Sequence, residues 1–262
     1  VAYDGTDFYG FQSQRRNGLP TIQETLEEAL SKLTGEKIAV IGSGRTDAGV
    51  HAWGQVVNFK TRSTVPPDKY PLALRPLLPE SIVIRESCEV PPDFHAQYGA
   101  VDKTYLYHFY CHRQMSPFFR RYAYHVPQPL DIEAMKQAAG YFVGVHDFRA
   151  FCQAGTPVKS FVREIFECCL LQEEGSPIFG LKAMGQLEQV PLLTLKVRGS
   201  GFLWNMVRIM AGTILYVGLG KIKAQDIPAI IGFGDRTLAG KTLPPQGLFL
   251  YKVNYDKSAE EK

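Results

Sequence analysis

One carboxylate, Asp47, lies in a glycine-rich stretch that reads SGRTDAGVHA over residues 43–52. Gly44 and Gly49 permit the backbone torsions of a sharp turn, and Arg45 places a cation two residues before the acid. A carboxylate on such a turn can be presented to a cleft, where it could serve as a nucleophile or a base. Aspartate also favours turns for its own hydrogen bonds, so a purely structural role stays open. The stretch matches neither a phosphate-binding loop nor a dinucleotide fingerprint.

Arg208 is the second residue whose sequence context indicates a paired charge, either structural or in an active site. It carries the only charge in GSGFLWNMVRIMAGTILYVGLG, which runs from Gly199 to Gly220. A helix that is apolar on nearly every face is buried, and a buried guanidinium needs a compensating partner. Asp47 could be that partner, either in a structural ion pair or in an active site. The stretch barely reaches the length of a membrane span and contains glycines, which favours a core helix without membrane contact.

Tyr105 lies in KTYLYHFY, whose alternation predicts a strand over residues 103–110 with Tyr105, Tyr107 and Phe109 on one face. Such a face normally packs in a core; a platform on which a nucleobase stacks is the alternative. Four nearby cationic side chains could contact the phosphates of a nucleic acid: Lys103, Arg113, Arg120 and Arg121. The formal net charge of +3, from 29 basic and 26 acidic residues, neither demands nor excludes a nucleic acid.

The histidines and cysteines predict no metal site. On a strand His108 and His112 would share one face and Cys111 the other, so one metal ion could not bind all three. His51 and His146 are isolated in the sequence. The five cysteines form no Cys-x-x-Cys pair and predict reduced thiols. With no basic-then-apolar leader in the given sequence, we expect a cytoplasmic protein.

The elements that would position these residues form two α+β halves that meet near residue 100. Thr21 with Glu24 has the form of a capping box, and Gly35 marks the end of that helix. The predicted strands are 37–41, 55–59, 81–90, 103–110, 163–172, 192–197 and 247–255. The predicted helices are 21–35, 66–79, 131–144 with Asp131 as its cap, one after Ser200, and 224–232. We expect units at 1–100 and 101–255, and a charged tail at 256–262.

Together these stretches resemble one family. GSGRTDAGVHAWGQVVNF resembles the active-site motif of the TruA-type tRNA pseudouridine synthases. Five further stretches resemble that family along nearly the whole chain: VAYDGTDFYGFQSQ, DFHAQYGAVDKTYLYHFY, GVHDFRAF, GFLWNMVRIMAGTILYVG and PPQGLFLYKVNY. One departure is Gln97, where many relatives have arginine.

The resemblance implies a fold and an activity. The fold would be α+β, with two ferredoxin-like α/β halves in one extended mixed, mainly antiparallel sheet, flanked by helices, with a central catalytic cleft. The activity would be isomerisation of uridine to pseudouridine at positions 38–40 of the tRNA anticodon stem-loop, without cofactor or metal. Asp47 matches the nucleophile, Arg208 its paired arginine, Tyr105 the residue packed on the base, and Arg45 one that holds the flipped nucleotide.

Two other functions remain open at this stage. A catalytically silent tRNA-binding or folding module of the same fold would not need Asp47, although the intact set of four site residues argues against it. An N-glycosidase would use the same acid but admit water to release the base. The resemblance also implies a homodimer, with tRNA as the other partner.

Overall fold

The computed structural model of the chain describes residues 1–13, 18–172 and 192–256. The first elements in chain order are β1 (Ala2–Tyr3), α1 (Ile22–Thr34), β2 (Ile41–Gly42), β3 (His51–Ala52), β4 (Val57–Asn58), α2 (Tyr70–Leu74) and β5 (Ile82–Val83). They are followed by β6 (Ala100–Tyr110), β7 (Tyr124–His125), α3 (Ile132–Gly140), β8 (Gly144–Asp147), β9 (Val162–Gln172), β10 (Leu192–Gly199), α4 (Met206–Gly218), α5 (Ile227–Phe233) and β11 (Leu248–Tyr255). Mostly antiparallel strands with flanking helices confirm the α+β class.

The chain forms two compact units. The first contains Val1–Lys103 and, from Phe249, the closing strand β11; the second is Thr104–Leu248. Strand β11 groups with the first unit because Phe249 pairs in parallel with His51 on β3. The division proposed from the sequence, 1–100 and 101–255, therefore differs in the placement of this strand. The proposed tail, 256–262, lies outside the described residues except for Asp256.

Short strands and one long helix build the first unit. β1 pairs antiparallel with both β3 and β5, and β2 pairs with β4 in a separate ladder. Helix α1 begins as predicted: the Thr21 side chain accepts from the Glu24 amide, and the Glu24 carboxylate accepts from the Thr21 amide. It ends at Gly35, whose φ of 72° is in the left-handed region that glycine tolerates. Its buried residues are Ile22, Leu26, Ala29 and Leu30.

Three predicted strands of this unit are wrong in length; one is 55–59, of which only Val57–Asn58 is in a strand. Only Ile41 of the segment 37–41 is in a strand, because side chains of α1 satisfy the preceding amides. The Ile38 amide donates to Ser31 Oγ (3.1 Å), and the Val40 amide donates to Glu27 Oε1 (2.9 Å). The predicted strand 81–90 is reduced to β5, since the residues beyond it are mostly exposed and have no apolar face to bury.

Longer strands dominate the second unit. β10 pairs antiparallel with β9 along most of its length, β9 with β8, and β7 lies parallel to β6. On β9, Cys168 is buried and Cys169 is partly exposed, as expected for neighbours on opposite faces of a strand. Asp131 caps α3 as predicted, accepting from the Ala134 amide at 3.0 Å. No helix in the described part of the chain is both long and apolar enough to cross a membrane.

Helix α4 is crossed closely by the segment that precedes β11. A side chain at Gly212 would collide with the Lys241 carbonyl oxygen, and one at Gly240 would collide with the backbone of Gly212. The Gly240 amide donates to Thr213 Oγ1 at 2.8 Å, which fastens the crossing. Two glycines and one buried hydroxyl therefore set the distance between this segment and α4.

We expect Gly212→Ala to lower the free energy of unfolding by about 3 kcal/mol or more, because the added methyl group meets backbone that cannot rotate away. Gly232→Ala is the matched control: it lies in α5 with no atom near the added methyl group. It should raise that free energy by about 0.5–1 kcal/mol through helix propensity. Urea unfolding followed by circular dichroism measures both changes. Equal stability of the two variants would contradict the close crossing.

Candidate active site

Asp47 lies in the loop between β2 and β3, in the first unit. Its side chain is half-buried, whereas that of Arg45 is exposed. The Val50 amide donates to the Asp47 carbonyl at 3.1 Å, and Gly49 between them has a φ of 76°. That torsion is close to the one that a type II turn requires at its third residue. The turn therefore fixes the Asp47 backbone, as the glycine pattern of the sequence predicted.

The segment before α1 lies against this loop. The Phe11 amide donates to the Thr46 carbonyl at 3.0 Å. A Cβ atom on Gly10 would lie 2.6 Å from the same oxygen, and Gly10 has a φ of 82°. The Gly10 and Phe11 carbonyls in turn accept from the first two amides of α1, those of Ile22 and Gln23. The helix N-terminus thereby holds the segment that touches the loop.

A set of buried polar side chains also bonds to the loop. Gln55 Nε2 donates to the Gly44 carbonyl (2.9 Å), and Gln55 Oε1 accepts from Ser43 Oγ (2.6 Å). The Tyr3 hydroxyl lies 2.8 Å from Thr46 Oγ1 and 3.5 Å from Gln55 Nε2. Their four side chains are each no more than 6% exposed. We call Tyr3, Ser43, Thr46 and Gln55 the polar framework.

Lys103 also contacts the loop. Its Nζ donates to the Ser43 carbonyl at 2.6 Å, and burial lowers the pKa of this ammonium group. The predicted contact of Lys103 with phosphates stays a prediction, and one of its three N–H donors is used by the loop backbone. Arg113, Arg120 and Arg121 are exposed, and their predicted phosphate role stays a prediction.

His51, isolated in the sequence, is embedded in the first unit. The Gly5 amide donates to its Nδ1 at 3.1 Å, and its ring stacks on Phe249 with centroids 4.6 Å apart. Asp4 Oδ1 is also 3.1 Å from Nδ1. An amide can only donate and a carboxylate can only accept, so these two contacts place opposite demands on the same ring nitrogen. The role of His51 is to pack β3 against β11.

In the second unit, Tyr105 lies on β6 and is 8% exposed. Its ring meets that of Phe202 edge-on, with centroids 5.0 Å apart. Two residues further along, the Tyr107 hydroxyl donates to the Pro244 carbonyl at 2.9 Å, and burial raises the pKa of Tyr107 well above its usual value. The strand predicted from the alternation is therefore present, and it carries Tyr105 within an aromatic environment.

Arg208 lies in the first turn of α4 and is partly buried. Its Nε donates to the Leu243 carbonyl (2.7 Å), and its Nη1 donates to Asn205 Oδ1 (2.6 Å). The Leu243 carbonyl lies near Arg208 because Leu243 comes two residues after Lys241, where the segment passes close to α4. These two bonds orient the guanidinium.

Sequence reasoning missed Asn205. It precedes α4 with a φ of 61°, the single described residue other than glycine with positive φ. Asparagine adopts that conformation more readily than most residues, since its side chain bonds locally. Its Nδ2 donates to Gln153 Oε1 at 3.2 Å while its Oδ1 receives Arg208. The signal in the sequence was an asparagine placed immediately before an apolar helix.

The zinc alternative gains no support from the second unit. His108 Nδ1 lies 2.8 Å from Thr194 Oγ1 on the neighbouring strand, and His112 Nδ1 bonds with Gln114. Burial raises the pKa of the Cys111 thiol to about 11, which disfavours the thiolate that zinc requires. Over the residues that the structure describes, no three His, Cys, Asp or Glu side chains cluster as metal ligands.

Each unit thus contains part of the predicted set. Arg45 and Asp47 share the loop of the first unit, and Tyr105 and Arg208 belong to the second. The pairing of Asp47 with Arg208 and the roles of all four residues remain predictions. Gln97 is exposed, and its backbone N–H donates to His95 Nδ1 at 3.2 Å.

Comparison with known proteins decides the family. The family model for tRNA pseudouridine synthase matches residues 1–99 and 138–256. The chain belongs to the tRNA pseudouridine synthase family. It is 46% identical over 255 residues to tRNA pseudouridine synthase A of Caldicellulosiruptor bescii, covering 97% of both chains. The protein of that name from Syntrophomonas wolfei is 43% identical over 260 residues, which cover 99% of this chain and 97% of the relative.

Membership of the tRNA pseudouridine synthase family confirms the predicted enzyme class. Members are isomerases that convert uridine to pseudouridine. The relative of the same name from Ruminiclostridium cellulolyticum, 45% identical over 97% of each chain, agrees with this assignment.

We expect Asn205→Ala to lower the free energy of unfolding by about 1 kcal/mol more than Asn205→Gly. Both variants lose the bonds to Arg208 and Gln153, but only alanine resists the positive φ. Urea unfolding of the two proteins measures the difference. Equal losses would show that the left-handed conformation is not maintained.

The stability contributed by Tyr3 should disappear at alkaline pH. Burial raises the pKa of Tyr3 from 10.0 to about 12 in the folded protein. Between these values the unfolded chain releases the phenolic proton and the folded one keeps it, so stability falls as pH rises. We expect the parent to lose about 1.3 kcal/mol more than Tyr3→Phe between pH 9 and pH 11, measured by urea unfolding. The other tyrosines are common to both proteins and cancel, so parallel losses would contradict the shift.

Proposed function

We propose that this enzyme isomerises uridine to pseudouridine in tRNA, at positions 38–40 of the anticodon stem-loop, with Asp47 as the nucleophile. The observation that carries the proposal is the half-buried Asp47 on a turn closed by the Val50 amide, within the most specific motif of the chain. The relatives named tRNA pseudouridine synthase A support tRNA as the substrate class.

The reaction needs a carboxylate and no external reagent. It breaks the glycosidic C–N bond, turns the base, and joins C5 of the base to the same sugar carbon, while C5 releases a proton and the freed nitrogen takes one up. Atoms and electrons balance without water, a metal ion or a redox cofactor. The Asp47 carboxylate could attack the sugar, attack the base, or take a sugar proton. All three routes require an ionised carboxylate.

Arg208 is proposed to pair with this carboxylate and keep it ionised. An arginine is suited to the task because it stays charged and binds a carboxylate with fixed geometry. Its bonds to Asn205 and to the Leu243 carbonyl support this role, since they orient the guanidinium.

Tyr105 and Arg45 are proposed to hold the target nucleotide. A base inside a stem must leave the stack before its sugar can react, at a cost of a few kcal/mol. Packing of the Tyr105 ring on the base offsets part of that cost, because aromatic stacking contributes about 1–3 kcal/mol per base. The exposed Arg45 could hold the flipped nucleotide through its phosphate. A homodimer bound to tRNA is part of the same proposal.

We expect Asp47→Asn to lose pseudouridine formation by about a thousandfold or more, because the amide can neither attack nor accept a proton efficiently. The assay uses unmodified tRNA tritiated at uridine C5 and follows tritium release together with pseudouridine content. Asp68→Asn is the matched control, since Asp68 is an exposed carboxylate of the same unit paired with Lys69. It should react at the parent rate.

The other outcomes separate the alternative functions. Turnover by Asp47→Asn would remove the nucleophile assignment. Binding of tRNA by the parent without turnover would favour a silent binding module, and free uracil would indicate an N-glycosidase.

A further inference from the structure

We propose that the polar framework is a positioning device for Asp47: it sets the backbone that carries the reacting carboxylate. Four hydrogen bonds join buried or partly buried side chains to residues 43 to 46, immediately before Asp47. The inference deepens the proposed function and rests on Asp47 as the reacting residue. It assigns roles to Tyr3 and Gln55, which lie outside the loop.

The Gln55 amide has one permitted orientation. The Val56 amide donates to its Oε1 at 3.2 Å, and the Gly44 carbonyl accepts from its Nε2 at 2.9 Å. Because a backbone amide cannot accept and a backbone carbonyl cannot donate, a flipped side chain would lose both bonds. The Ser43 hydroxyl donates to the same Oε1 at 2.6 Å. Gln55 therefore fixes two consecutive residues of the loop.

The contacts continue from Gln55 to Thr46 through Tyr3. Gln55 Nε2 can only donate, and it lies 3.5 Å from the Tyr3 oxygen. The 2.8 Å bond between the Tyr3 and Thr46 hydroxyls can have either oxygen as its donor. Burial raises the pKa of Tyr3 and so keeps the phenol protonated. The peptide bond of Thr46 leads directly to Asp47.

A role in positioning explains the framework better than stability alone. Buried polar groups stabilise a fold little more than apolar groups of the same shape, but they specify one geometry. This geometry matters at a reacting centre, where a displacement of about 1 Å can reduce the rate by about a hundredfold. The framework holds Gly44 and Thr46, the two neighbours of Arg45, and so fixes the course of the backbone that leads to Asp47.

The test compares Thr46→Val and Tyr3→Phe with Thr46→Ser, which restores the hydroxyl without the methyl group. The readouts are the single-turnover rate constant at saturating tRNA, the Kd for tRNA, and the free energy of unfolding. We expect the first two variants to lower the rate constant about 10- to 100-fold with Kd changed less than twofold. The rate constant and the Kd of Thr46→Ser should each stay within threefold of the parent values.

A stability control separates positioning from folding. Ser31→Ala removes the hydrogen bond from the Ile38 amide to α1, a side-chain contact of the same kind in the same unit. It should lower the free energy of unfolding while its folded fraction reacts at the parent rate. If Thr46→Val does not fold, Tyr3→Phe and Ser43→Ala serve in its place. The double variant Tyr3→Phe with Thr46→Val should be no slower than the slower single variant, because both remove one shared bond.

Asp47→Asn, assayed beside them, distinguishes the two levels of the proposal. If it turns over at the parent rate, the nucleophile assignment fails and the positioning role is overturned with it. If it is inactive while Tyr3→Phe and Thr46→Val react at the parent rate, the positioning role alone is overturned. A rise in Kd with an unchanged rate constant would also overturn it, since that result assigns the framework to tRNA binding.

Discussion

The hydrogen bonds of one buried amide, that of Gln55, constrain the loop on which the candidate chemistry depends. A glycine-rich turn is flexible by composition, and the strands on either side, β2 and β3, contain two residues each. Such short ladders cannot hold a loop of eight residues by backbone pairing alone. Hydrogen bonds from buried side chains and from the Gly10–Phe11 segment hold it as well.

The second unit restrains its candidate residue differently. Arg208 is held through packing: glycines at 212 and 240 let two segments approach, Thr213 fastens them, and the Leu243 carbonyl then meets the guanidinium. A long charged side chain has many rotamers, and ordering it consumes conformational entropy. The backbone acceptor and Asn205 together reduce that freedom before any substrate arrives.

Sequence patterns predicted those elements that depend on interactions between residues close together in the sequence. The Thr21 capping box, the Asp131 cap and the β6 alternation were all recognisable, because the residues that interact lie within a few positions. The strand at 37–41 was wrong because distant side chains, Ser31 and Glu27, satisfied its amides instead of a neighbouring strand. Likewise, no periodicity in β11 could indicate that it pairs with β3, about 200 residues earlier. For the site, the motifs predict Asp47 and Arg208, and those roles remain predictions, whereas the hydrogen bonds of Gln55 and Asn205 could not be deduced from their positions in the sequence.

The polar framework is built from groups that hold one protonation state around neutral pH. Serine, threonine and glutamine do not titrate, and Tyr3, with a pKa of about 12, stays protonated well beyond that range. Lys103 differs, because burial lowers the pKa of its ammonium group, so its bond to the Ser43 carbonyl weakens first as pH rises. Near neutral pH, a change in the rate of the reaction with pH therefore does not come from titration of the four side chains of the polar framework.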